Sequence, residues 1–160
     1  MEINSLSKRY HVRNLDKSDV DMIYDLMCRN HIFYQYHPPF VTKKSILDDM
    51  AALPPNKNAD DKIYAGFFCN ESLVAILDLI LDYPIKGIAF IGFFMTDIRY
   101  QHKGIGSQIV CDMIDCLKSS GYTEIRLGVD KGNPQSHAFW VKNNFTAIGE
   151  DQYVLMSRKI

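Results

Sequence analysis

Gln101-His102-Lys103-Gly104-Ile105-Gly106 stands between an apolar run and an amphipathic one. A glycine-bearing turn that opens a helix presents backbone N–H groups and the positive end of the helix dipole, and each missing Cβ clears space for an anion such as a pyrophosphate. The same letters also serve as a plain turn and cap. There is no third glycine followed about 20 residues on by an acidic residue, and no Gly-Lys-Ser/Thr, so the dinucleotide fingerprint and the Walker loop are both excluded.

A second set of residues could handle charge. Asp78 sits inside the apolar run Leu73–Leu81, where an unpaired carboxylate is costly to bury, so it either faces solvent or lines a cleft. Asp82 is predicted to share its strand face, which would form an acidic patch, whereas Asp97 at a strand exit suits a turn or capping role. His137 has a side chain suited to proton transfer, with a surface position as the alternative. Between residues 29 and 41 the aromatics Tyr34, Tyr36 and Phe40 surround Pro38-Pro39; they read either as a wall that binds a cation by π-face attraction or as a packing loop. Cys28, Cys69, Cys111 and Cys116 are isolated and read as reduced and mostly buried. With the five histidines scattered, no metal is expected.

The elements that must position these residues follow from periodicity. A short strand at 10–15 precedes a helix whose apolar face is Val20, Ile23, Tyr24 and Met27. Thr42 can cap a second helix ended by Pro54-Pro55. Residues 63–69 and 72–81 read as a hairpin, and 88–96 as a central strand covered on both faces. A helix from about 104 carries Ile105, Ile109, Val110, Met113, Ile114 and Leu117, with Gly121 at its C-cap. Then come a strand at 125–129, a helix started by Asn133-Pro134, and strands at 145–149 and 152–159. The order is β-α-α-β-β-β-α-β-α-β-β, an α/β (α+β) fold. The strand-helix-strand unit from 88 to 129 implies one parallel pair in a mixed sheet.

The 160 residues, 47% hydrophobic and 23% charged, suit one domain over residues 1–160 with a sizeable core. A net charge of −1 with no basic stripe argues against nucleic acid, and the longest apolar run is too short to span a bilayer. The expectation is a cytoplasmic protein with no membrane partner.

The glycine run resembles the acyl-CoA signature of the GNAT superfamily of N-acetyltransferases, Gln/Arg-x-x-Gly-x-Gly/Ala, matched at Gln101, Gly104 and Gly106. About thirty residues on, Asn133 through Phe145 resembles the family's second pattern: an Asn-led helix with an aromatic pair, a Lys and a final Phe. The likeness covers roughly residues 9–158 and implies a GNAT-like, mostly antiparallel sheet flanked by helices.

The resemblance also implies acetyl-CoA as cosubstrate and a small-molecule or peptide amine as acceptor, with a homodimer left open. It places Gln101, His102, Lys103, Gly104, Ile105, Gly106 and Ser107 at the pyrophosphate, Phe94, Met95 and Thr96 along the pantetheine arm at a β-bulge, and Asn133 and Trp140 on the cofactor's other side. The chain departs from the family in three ways. Trp140 stands where many members have an acidic Tyr, no carboxylate occurs in Phe90-Ile91, and Asn144 replaces a glycine. A protonated amine needs a base, for which Asp78 is the first candidate, ahead of Asp82 and His137. Tyr34, Tyr36 and Phe40 fall in the family's variable, acceptor-facing region. The alternative is a domain that binds acyl-CoA as a sensor or scaffold with little turnover.

Overall fold

A computed structural model describes residues 1–160. Its sheet has seven strands: β1 His11–Asn14, β2 Lys62–Cys69, β3 Ser72–Ile80, β4 Ile88–Thr96, β5 Glu124–Asp130, β6 Thr146–Glu150 and β7 Tyr153–Lys159. They lie in the order β1-β2-β3-β4-β5-β7-β6. Only β4 and β5 run parallel; every other neighbouring pair is antiparallel. The α-helices are α1 Val20–Cys28, α2 His31–Tyr36, α3 Lys43–Ala51, α4 Ile105–Ser119 and α5 Pro134–Lys142.

α2 is one helix more than periodicity predicts. It forms inside the aromatic segment, and Pro38 ends it, because the residue before a proline is pushed out of the helical region; His37 accordingly sits at φ −126°, ψ 64°. The expected punctuation appears elsewhere. Thr42 and Ser45 form a capping box, the Asn133 side chain accepts a hydrogen bond from the Ser136 amide, and Gly121 takes φ +90° just past α4. The expectation for the cysteines holds in part: all four are free, but only Cys116 is buried, and Cys69 and Cys111 are exposed. No helix is long and apolar enough to cross a membrane.

Successive strand residues point to opposite faces, so the sheet carries two cores. On one face α4 packs Ile109, Met113 and Leu117 with Leu77, Leu79, Ile91 and Leu127. On the other, α1 and α3 bring Ile23, Leu26 and Ile46 against Ile76, Phe68, Met95 and Tyr64. The alternation along β3 therefore puts Asp78 on the α1–α3 side, two residues beyond Ile76.

A charge cluster joins those helices to the end of β4. Asp97, fully buried, accepts hydrogen bonds from Arg29 just after α1 (2.7 Å), from the Arg99 guanidinium (2.8 Å) and from the Arg99 amide (2.9 Å). Burial pushes its carboxyl up, but the hydrogen bonds from Arg99 and Arg29 outweigh it and hold it at about 2. An Asp in the unfolded chain titrates at about 3.9, so the cluster stabilises the fold fully above about pH 4, and the contribution is lost as pH falls through about 2. Asp97→Asn is expected to cost on the order of 2 kcal/mol at pH 7, with the gap to wild type closing between about pH 4 and pH 2. Urea unfolding across that window measures it, and a gap that stays constant would contradict the assignment.

Candidate active site

The parallel pairing of β4 with β5 covers only Ile88–Ile91 against Glu124–Leu127. Beyond it each strand keeps only its other neighbour: β4 stays on β3 as far as Thr96, and β5 stays on β7 as far as Asp130. The two strands part at Gly92, where the β3–β4 register shifts so that Leu79 faces Ile91 but Asp78 faces Phe93. An extra residue of this kind bends a strand and strengthens its twist. A Cβ on Gly92 would lie 3.1 Å from Oδ2 of Asp78, so glycine is also what lets the carboxylate lie against β4 here.

Aromatic rings fill the base of the wedge. Trp140, 5% exposed, meets Phe139, Phe145 and Phe94 at ring-centroid distances of 5.0, 5.0 and 5.9 Å. Two clefts open on either side and share Phe33, Phe94, Ser136 and Trp140.

The larger cleft, about 500 Å³, runs from Phe94, Met95 and Thr96 to the N-terminus of α4 and the near face of α5. Of the residues expected at a cofactor, Gln101, His102, Gly104, Ile105, Gly106, Ser107, Asn133 and Trp140 also line it. Lys103 does not: its ammonium turns back to the Arg99 carbonyl at 2.9 Å. Gln101 acts through the turn, donating to the Thr96 carbonyl (2.9 Å) and to Asn30 Oδ1 (2.7 Å). No side chain caps α4, and its N-cap Gly104 holds φ +76° with no atom within 4 Å of where a Cβ would stand. That leaves the first-turn amides open to an anion.

Gly106 differs from the expectation. A Cβ there would meet Phe139 and Thr96 Oγ1, each at 3.1 Å, so its missing side chain makes room for α5 and β4 rather than for the anion itself.

The smaller cleft, about 320 Å³, lies on the other side and is lined by Phe33, His37, Asp49, Tyr64, Asp78, Phe93, Asp130 and Tyr153 among others. Asp78 is in it, with its side chain 13% exposed and Oδ2 held 3.0 Å from the Lys62 ammonium. Burial pushes the Asp78 carboxyl up, against the opposing pull of Lys62. His37 Nδ1 sits 3.0 Å from Asp130.

Besides Lys103, five expected positions fall outside both clefts. β3 ends at Ile80, and Asp82, at φ +53°, accepts from the Gly87 amide (2.7 Å) in the β3–β4 turn, so it shares no strand face with Asp78. His137 is exposed on α5. Tyr36 and Phe40 are exposed too. Tyr34, the fifth, packs against the α1–α3 core and meets Phe33 edge-on. Phe33 on α2 and His37 at its C-cap, whose amide donates to the Phe33 carbonyl, line the smaller cleft instead. Asn30, Asp49, Tyr64, Asp130 and Tyr153 carried no local sequence signal; only the register and the packing of α2 and α3 bring them in. No three His, Cys, Asp or Glu side chains group as a metal site.

Residues 20–145 match the model of the acetyltransferase (GNAT) family, and the chain belongs to that family. Among solved structures it is similar to an acetyltransferase from Thermus thermophilus, at 18% identity and TM-score 0.79 over 93% of this chain and 96% of that one. It is also similar to PaiA N-acetyltransferase from Thermoplasma acidophilum in complex with coenzyme A, at 20% identity and TM-score 0.71 over 93% and 98%. A third is the ribosomal-protein-S18-alanine N-acetyltransferase from Escherichia coli, at 16% identity and TM-score 0.68 over 93% and 92%. None of the curated proteins matches the chain in sequence.

Gly106→Ala is expected to lower the melting temperature and to weaken CoA binding at least tenfold in calorimetry, because Phe139 and Thr96 must shift. Gly104→Ala is expected to cost about 1 kcal/mol of stability through its left-handed backbone alone. Full CoA affinity in Gly106→Ala would contradict the packing account.

Proposed function

We propose that the chain transfers an acetyl group from acetyl-CoA to a primary amine by direct attack. The observation that carries this is the pair of clefts meeting at the β4–β5 wedge, one with an open helix N-terminus and a free strand edge, the other with a buried carboxylate and aromatic walls. The family assignment and the CoA complex of a structural neighbour support the choice of cosubstrate.

In this reading the amides at the start of α4 take the pyrophosphate, and the edge of β4 at Phe94–Thr96 pairs with the pantetheine amides. The thioester then lies at the wedge with the amine entering from the Asp78 side. The amine arrives as ammonium and gives one proton to Asp78, directly or through a water. Its nitrogen bonds the thioester carbon while a backbone amide of β4 steadies the oxyanion; the nitrogen then gives its second proton to water, the carbon–sulfur bond breaks, and CoA leaves as thiolate. Trp140 has no proton to give that thiolate, so water protonates it; the ring's part is to pack the base of the wedge.

Free-thiol release from acetyl-CoA across a panel of n-butylamine, 1,4-diaminobutane, glucosamine and an alanine tripeptide tests the reading. Release above solvent background with at least one amine is expected. CoA binding without release would instead support the scaffold alternative. Asp78→Asn is expected to lower kcat/KM by roughly 10²–10⁴-fold while the KM for acetyl-CoA changes less than about threefold. Because burial raises the Asp78 carboxyl and the base must be unprotonated, the acid limb of kcat/KM is expected above the ordinary carboxylate range. A limb at about pH 4 or below would contradict that role.

A further inference from the structure

Two buried polar atoms in the walls of the smaller cleft have no hydrogen-bond partner: the Tyr64 hydroxyl and Oδ1 of Asp78. The third such atom in the protein, Nε of Arg29, belongs to the Asp97 cluster. Tyr64 and Asp78 are direct cross-strand partners in the β2–β3 ladder, so their side chains stand side by side on one face. Tyr64 is only 6% exposed. Native proteins seldom leave buried groups of this kind unpaired, so two of them in the wall of one cleft call for an explanation.

The surroundings show why protein groups do not complete it. Lys62, its side chain 6% exposed, gives its protons to Oδ2 of Asp78 (3.0 Å), the Asp49 carbonyl (2.6 Å) and the Ala52 carbonyl (2.8 Å). An ammonium has three donors, so none remains for Oδ1. On the other side, β4 closes on Oδ2 at Gly92. Asp78 is thus held by one oxygen with the other left free. Asp130, across the cleft, is taken by His37. Burial pushes the Tyr64 phenol up, so the hydroxyl stays protonated and keeps its lone pairs for a donor.

We propose that Tyr64 is a further acceptor-binding residue, whose hydroxyl oxygen and Oδ1 of Asp78 together form a two-point cradle for the reacting primary ammonium. A primary ammonium brings three donors and no acceptor, which matches two unpaired acceptor atoms on neighbouring side chains. Once one proton has passed to Asp78, the bond to Tyr64 keeps the neutral amine from rotating its lone pair away from the thioester. The inference rests on the acetyl-transfer reading and adds to it the residue that orients the amine.

The test is Tyr64→Phe in the full chain, with saturating acetyl-CoA and the same four amines. The expected result is a rise of at least tenfold in KM for the amine, with the KM for acetyl-CoA within twofold and a melting temperature equal to or above that of wild type. Tyr64→Met, which keeps apolar bulk, is expected to show the same amine defect, so the result does not hang on one variant folding. If wild type turns over an amine, Asp78→Asn is impaired, and both Tyr64 variants keep the wild-type KM for that amine, the cradle is wrong while the acetyl-transfer reading stands. If wild type turns over none of the four, that reading fails and takes the cradle with it.

Discussion

The rest of this molecule depends on the parting of β4 from β5 after Ile91. Backbone N–H and C=O groups in a sheet are obligatory hydrogen-bonding groups, and a strand that leaves its neighbour in mid-sheet exposes a row of them. Here the row is not covered by another strand. The bulge at Gly92 turns β4, Trp140 and its ring partners pack the base of the gap, and the first turn of α4 lies against the end of β4, Gly106 beside Thr96. What is a defect for a sheet becomes an edge that an amide-bearing chain can pair with, flanked by the open end of a helix.

The two sides of that gap are held by different chemistry. On the helix side, support comes from polar groups that brace the turn without entering the cleft as charges: Gln101 ties Thr96 to Asn30, and Asp97 ties Arg29 to Arg99. On the other side Asp49, Asp78 and Asp130 line the walls, with Lys62 and His37 engaged by carboxylates. One end therefore suits an anion, and the other suits a cation. An acyl donor with a phosphate tail and an amine acceptor divide in the same way, which puts the thioester of the proposed reaction at the wedge between them.

Most of the fold was legible in the sequence, because it rests on local periodicity and punctuation. The central strand 88–96 and the helix caps at Thr42 and Asn133 stand where hydrophobic pattern and capping chemistry place them. The glycine turn was equally legible, although the reason for Gly106 is packing against Phe139, which no local pattern carries. The acceptor side was legible in one residue, Asp78, since a carboxylate inside an apolar strand is conspicuous in one dimension. Its neighbours were not. Asp82 sits past the strand's end, where the turn rotates it away, and Tyr64 looks like any strand aromatic until the β2–β3 register sets it beside Asp78. In the aromatic segment, the short α2 and its C-cap bring Phe33 and His37 to the cleft, and Tyr34, Tyr36 and Phe40 do not line it.

The central claim, that the freed edge of β4 is the docking strand for the acyl donor, is tested most directly by amide hydrogen exchange with and without CoA. The account predicts slower exchange on adding CoA at those amides of residues 93–96 that do not bond to β3, together with Ile105, Gly106 and Ser107 at the start of α4. Exchange in β2 should not change. Protection confined to α4 and α5, with the β4 amides exchanging as fast as in the free protein, would contradict it.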